Sequence, residues 1–423
     1  KTSCLKKASL VAMLRLLCWL YAIACPVLAG NLSQGAPSTP CLNSCFPAAL
    51  GGACDDHLRL QPLLTSRGRS ECSCAWVGEL AALRRACHLT PQPSDPVRVF
   101  TAKDAGVSCF RIPAIVQTAK GSLLAFAEAR RGSCHDGATE EIAVRRSVDH
   151  GRTWSNISFA AGGPGHPVGN PYPTALANGS VALVYLDYRR PQLNAARGNA
   201  VVFSHDDGLT WSTARDISAD FGHARGASPG PGAGVQLSSG RVLVVSHYGA
   251  YRADYITFSD DGGERWQTVN HTFPRMDEGT LADLGGGVVL LNMRHLAEAK
   301  KGRAVARSYD GGMTWSNISF DKALLGPVCQ GSLAAFGGSV FFSNPASPHS
   351  RSPLKVRRSD DLGNTWTSGL LINSSNGYSS LVQGPVGDPL HGGILYEARK
   401  SGALDFRTFP LTEEEAEQIE VFI

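Results

Sequence analysis

The sequence predicts an all-β protein: a six-bladed β-propeller built on Asp-box repeats, with a small cysteine-rich segment ahead of it. Three observations carry that prediction. The pattern Ser-x-Asp-x-Gly-x-Thr-Trp occurs five times, beginning at Ser147, Ser204, Ser259, Ser308 and Ser359, with Arg265 in place of Thr in the third copy. The copies are spaced by 57, 55, 49 and 51 residues, a period that suits one four-stranded blade per repeat and not a solenoid of helices. Between the copies lie short apolar, β-branched runs bounded by glycine, and the chain holds 46 glycines to turn them.

Each position of the repeat has a local reason. Aspartate at the third position is expected to accept backbone N–H groups two residues on, and glycine at the fifth supplies a positive φ. The closing tryptophan is a large apolar anchor beneath the turn. The duplication is also direct, since Thr153-Trp-Ser-Asn-Ile-Ser-Phe159 recurs unchanged as Thr314 to Phe320.

In chain order, residues 1–30 read as a secretory signal. Lys1, Lys6 and Lys7 precede a mostly apolar Leu10 to Leu28, with Val27 and Ala29 placed for cleavage. Retention of this segment would make it a membrane anchor, and no later segment has the ~20 continuous apolar residues of a spanning helix. Six Asn-x-Ser/Thr sequons, at Asn31, Asn156, Asn178, Asn270, Asn317 and Asn373, agree with a secretory route.

Residues 31–96 hold Cys41, Cys45, Cys54, Cys72, Cys74 and Cys87, read as a disulfide module and not a zinc site, followed by a linker stiffened by Pro91, Pro93 and Pro96. Residues 97–423 are 327 in number, enough for six blades of about fifty. Strands are expected at Phe110–Val116, Ser122–Ala129, Ile142–Arg146, Val181–Leu186, Val201–Ser204, Val242–His247, Val288–Asn292 and Val340–Phe342. The acidic run from Glu413 to Glu417 reads as a solvated helical turn. Pro229-Gly-Pro-Gly-Ala-Gly234 follows no strand–helix pattern and reads as a blade loop.

A net charge of +4 is compatible with anionic ligands and far from a nucleic-acid signature. No phosphate-binding loop, His-Glu-x-x-His or Gly-x-Ser-x-Gly pattern accompanies the repeats, so neither metal nor organic cofactor is expected.

The first two strands should form a hairpin around Thr118-Ala-Lys-Gly121, pairing positions whose numbers sum to about 239. Cys109 then faces Arg130, with Cys134 four residues beyond. A Cys109–Cys134 bridge is expected, with Cys329 left as a buried thiol.

Cys109-Phe-Arg-Ile-Pro113, followed by Leu123-Leu-Ala-Phe-Ala-Glu-Ala-Arg130, resembles the opening of animal exo-α-sialidases, and the resemblance runs from Phe100 to Glu397. It implies a retaining hydrolase that removes terminal sialic acid from glycoconjugates. By resemblance, Arg111, Arg294 and Arg351 bind the sialic acid carboxylate, with Arg357 and Arg358 lying near the last in sequence. Planar guanidinium forks suit that anion. Arg130 would be an accessory arginine at the pocket edge, and Glu397 the carboxylate that orients Arg111. Tyr378 matches the family nucleophile and Glu278 its proton acceptor, with Asp277 the adjacent competitor. Asp136 matches the loop aspartate that acts as acid and base.

Signal and sequons make the chain resemble the lysosomal sialidase most, which implies lysosomal residence and a carboxypeptidase partner. The cysteine-rich segment and the ending Glu420-Val-Phe-Ile423, without a Tyr-x-x-hydrophobic signal, depart from that pattern. The alternatives are a trans-sialidase and a non-catalytic sialic-acid-binding or sortilin-like receptor propeller.

Overall fold

Val97–Phe100 is the first described strand, yet it pairs antiparallel with the last, Ala403–Pro410, placing Val97 opposite Phe406 and Arg98 opposite Asp405. That pairing closes a ring. The computed structural model describes residues 93–411 apart from 189–197, 222–226, 250–251, 297–300, 375–376, 385–390 and 399–401. The chain divides into two units, Lys1–Leu89 and Thr90–Ile423, and every described residue belongs to the second. The signal segment, the six N-terminal cysteines and the acidic run at 413–417 lie outside the described residues.

The ring has six antiparallel blades, written here from the inner strand outward. The first comprises Cys109–Gln117, Leu123–Arg130, Thr139–Ser147 and Ser158–Gly162; the second Val168–Ala175, Val181–Asp187, Gly198–Ser204 and Arg215–Asp216. In the third, two pieces, Ala227–Pro229 and Val235–Gln236, line up on Val242–Tyr248, followed by Ala253–Ser259 and Gln267–Pro274. The fourth is Met276–Asp283, Val289–His295, Arg303–Ser308 and Ser319–Asp321; the fifth Ser332–Phe336, Ser339–Pro345, Leu354–Ser359 and Leu370–Asn373. The sixth is Ser379–Gln383, His391–Ala398, Ala403–Pro410 and Val97–Phe100. All eight strands expected from sequence fall within or overlap these. The glycine-rich 229–234 stretch is the break in the third blade's inner strand, and Pro229 to Gly232 are buried.

Second strands such as Leu123–Arg130, Val181–Asp187 and Ser339–Pro345 are buried at every residue, because a blade is covered on both faces. Apolar clusters fill every junction. Phe100 and Phe406 meet Phe110 and Leu123 between the sixth blade and the first, and Val184, Val244 and Leu291 share one cluster across the second, third and fourth.

The five repeat turns each join a third strand to a fourth. Glycine at position five has φ of 85, 83, 93, 88 and 81° from the first copy to the last. The aspartate reaches further than expected. Asp149, Asp206, Asp310 and Asp361 accept the N–H and hydroxyl of the threonine four residues on, and Asp261 accepts the N–H and Nε of Arg265. The nearer glycine N–H is already taken by the leading serine, as in Gly312 to Ser308 Oγ at 2.8 Å. The sixth blade has no such turn; its outer strand comes from the start of the unit.

Candidate active site

In a four-stranded antiparallel blade, the start of the inner strand and the end of the second lie at the same end. Arg111 and Glu278 are each the third residue of an inner strand, and Tyr378 immediately precedes one. Arg130, Arg294 and Glu397 stand at the ends of second strands. These six therefore gather on one face of the ring, while the repeat turns, at the ends of third strands, occupy the other.

Three inner strands carry a bulge at the same place. Pairing shifts between Arg111 and Ala114, between Gly169 and Tyr172, and between Asp277 and Thr280. Ile112, Asn170 and Glu278 have φ of 56, 47 and 45° in these bulges. For a β-branched isoleucine that is a strained conformation, costing about 1–3 kcal/mol. The extra residue turns the Arg111 and Glu278 side chains relative to a regular ladder.

Tyr378 lies at the centre. Its hydroxyl donates to Glu278 Oε1 at 2.5 Å, and Arg294 Nη1 donates to both Glu278 Oε2 and the Tyr378 oxygen, the latter at 3.0 Å. The Arg111 and Arg351 guanidinium carbons lie 5.3 and 5.6 Å from the Tyr378 ring centroid. Burial, then the Glu278 carboxylate, holds the phenol well above its ordinary value of 10, so the hydroxyl is a neutral donor. Asp277 is turned away toward His247, 3.2 Å distant. Of the nearby arginines, Arg357 is buried against Asn344 and Arg358 pairs with Asp360, which leaves Arg351 as the one over Tyr378.

Glu397 ties the first and sixth blades together. It accepts from Arg111 Nε at 2.9 Å and the Ile112 N–H at 3.3 Å, while its other oxygen takes the Tyr378 N–H at 3.0 Å. A Cβ on Gly377 would collide with that carboxylate, so any side chain there has to displace Glu397. The result is a rigid frame joining one arginine to the tyrosine backbone.

Asp136 opens to solvent, with its side chain 89% exposed, and its Oδ1 lies 2.8 Å from Arg130 Nη1 and 3.6 Å from Arg111 Nη1. Its loop is anchored twice. Cys109 and Cys134 form the expected disulfide, with Cα atoms 5.3 Å apart, and Cys109 faces Arg130 in the hairpin. Arg130 Nη1 also holds the Cys134 carbonyl at 2.7 Å.

Two participants, Glu128 and Gln330, were not singled out from sequence. Glu128 is buried and receives Arg130 through Nε and Nη2, at 3.0 and 2.6 Å, and the Asn170 N–H at 2.8 Å. A carboxylate between two alanines of an apolar strand was the available signal. Gln330 pins the next backbone unit, exchanging bonds with the Ser379 carbonyl at 2.9 Å and N–H at 3.1 Å. Cys329, the expected buried thiol, packs with Ile112 under Tyr378, and burial pushes it up to about 12.

Ring and site together define a six-bladed propeller of the Asp-box kind, with a cluster of arginines around a buried tyrosine. The chain belongs to the BNR repeat-like domain family, whose model matches residues 119–391. It is 32% identical over 351 residues to a sialidase of Micromonospora viridifaciens, covering 73% of this chain and 53% of that protein. To a Bacteroides fragilis sialidase it is 29% identical, covering 71% and 62%. Human Sialidase-3 matches at 26% identity over 69% of this chain and 73% of its own. Among solved structures, a Hadza microbial sialidase aligns with a TM-score of 0.67 at 28% identity, covering 75% of this chain and 68% of that one. The chain thus spans between half and two thirds of the lengths of the first two relatives.

Proposed function

We propose that the protein is a retaining exo-α-sialidase that hydrolyses terminal sialic acid from glycoconjugates. The observation that carries this reading is the Tyr378–Glu278–Arg294 group, with Arg111 and Arg351 converging on the same tyrosine. A cluster of cations at one end of a propeller axis suits a carboxylate ligand, and guanidinium groups bind it through charge-assisted hydrogen bonds.

The substrate carboxylate lies against Arg111, Arg294 and Arg351. Tyr378 attacks the anomeric carbon while its proton passes to Glu278, and Asp136 gives a proton to the leaving oxygen. A neutral phenol avoids bringing an anion toward a carbon that already bears a carboxylate; sialidases are the tyrosine exception among retaining glycosidases. In the second half, Asp136 takes a proton from water, which displaces the tyrosine oxygen, and Glu278 returns its proton. Two inversions give retention. The solvent exposure of Asp136 suits a group that must meet both leaving group and water.

We further assign the enzyme to the secretory route, as a lysosomal-type sialidase. In support, the sequon residues Asn156, Asn178, Asn270 and Asn317 are all exposed. The test is release of a fluorogenic leaving group from an α-linked sialoside between pH 4 and 7, with lactose added in a parallel reaction. Free sialic acid, first appearing as the α-anomer, is expected. Transfer to lactose in place of hydrolysis would make the protein a trans-sialidase, and no release from any α-sialoside would contradict the proposal.

A further inference from the structure

Behind the strand that carries Glu278, three side chains of the third and fourth blades converge. His247 and Asp254 face each other across the pair Val242–Tyr248 and Ala253–Ser259. Asp277 reaches them from the inner strand of the fourth blade, and the candidate ligand atoms of all three lie within 4.8 Å of one another. His247 Nε2 is 3.2 Å from Asp277 Oδ1. Asp254 is 0% exposed, and neither of its carboxylate oxygens has a hydrogen-bond partner. The neighbouring inner strand passes close enough that a Cβ on Gly279 would lie 2.9 Å from Asp254 Oδ2.

A buried carboxylate without donors is among the costliest arrangements in a protein interior, and such groups are ordinarily paired or bound to metal. Here no Lys or Arg among the described residues lies within ion-pair distance of Asp254. Arg303, whose charge acts on Asp254 through the core, makes no ion pair with it and spends Nε and Nη1 on Asn292 Oδ1 at 2.6 Å and the Cys329 carbonyl at 2.8 Å. A second carboxylate beside the first makes the need for positive charge greater.

We propose that His247, Asp254 and Asp277 bind one divalent cation of the zinc or manganese class. One imidazole and two carboxylates form a mixed nitrogen–oxygen set typical of those ions. Calcium is disfavoured, since it takes six to eight oxygens. The ion joins the third blade to the fourth and fixes, from behind, the bulge that presents Glu278. It takes no part in the reaction proposed above.

The test uses the full chain after chelator treatment, titrated with Mn²⁺ at pH 7 and read by loss of the free-ion paramagnetic resonance signal and by thermal melting. Manganese is chosen because its free ion carries the paramagnetic signal and carboxylate ligands suit it. Wild type is expected to bind one more Mn²⁺ per chain than Asp254→Asn or His247→Gln, and only wild type should melt several degrees higher with Mn²⁺. Equal uptake by wild type and a folded variant, or a wild-type melting temperature unmoved by millimolar Mn²⁺, would overturn the proposal and leave the two carboxyl groups sharing a proton. If Asp254→Asn fails to fold, His247→Gln and the wild-type shift decide it.

Discussion

Glu397 shows how closely the residues of the pocket depend on one another. One carboxylate orients Arg111 and at the same time holds the Tyr378 backbone, so loss of space around it disturbs both. Gly377→Ala should therefore reduce kcat/KM by more than a hundredfold, although position 377 bears no reacting group; steady-state kinetics with circular dichroism checks it, and near-normal activity in a folded variant would mean that the frame tolerates a shift. Asp136→Ala should slow substrates with poor leaving groups by a hundredfold or more, yet aryl sialosides far less, because a good leaving group needs little protonation. Equal losses on both would move Asp136 from proton transfer to loop structure. Why some of these residues were legible and others not is physical. Arg111, Arg130 and Tyr378 stand in recognisable local motifs, whereas Gln330 acts through a partner 49 residues away and Glu128 links its neighbour Arg130 to a backbone N–H 42 residues away.

At the scale of the element, the repeat turn is an acid-resistant clasp. Asp206, held by hydrogen bonds from Thr210, titrates at about 2, against an ordinary value of 3.8. At Asp261 and Asp310 burial works against ionisation, and the bonds from Arg265 and Thr314 outweigh it, again giving about 2. Between pH 4 and 2 the unfolded chain therefore binds more protons than the folded one, and stability rises with pH across that window. These turns should contribute fully above about pH 4 and fail only as pH falls toward 2. Asp310→Asn should lower stability at pH 6 by about 1 kcal/mol, the exposed carboxylate being partly screened. It should also flatten the acid limb of a plot of melting temperature against pH. An unchanged acid limb would show that the turn carboxylate does not govern it. The sequence displayed these turns plainly because each is local, eight residues long. It misjudged only the reach of the aspartate, since the leading serine takes the nearer N–H.

For the whole molecule, closure is the critical step, and it is made by two strands over three hundred residues apart. Phe100 is fully buried, has its ring centroid 5.0 Å from that of Phe110 in a tilted pair, and belongs to the cluster joining the sixth blade to the first. Phe100→Ala should cost about 3–5 kcal/mol and unfold the ring cooperatively, measurable by denaturant titration. A loss under about 1 kcal/mol would mean that the sixth blade closes without that strand. Six blades were countable from repeat spacing, yet the identity of the closing strand was not, because Val97–Phe100 carries no repeat signature. Nor did sequence spacing reveal the three bulges or the His247–Asp254–Asp277 group, which exist only after strands pair and blades abut. The central claim is that Tyr378 is the nucleophile of a retaining sialidase, and trapping the covalent intermediate tests it most directly. Wild type incubated with 2,3-difluorosialic acid should gain one fluorosialyl group, mapped by mass spectrometry to the Tyr378 peptide. Tyr378→Phe should gain none, lose turnover and still bind sialic acid. An adduct on any other residue, or near-normal hydrolysis by Tyr378→Phe, would contradict the account.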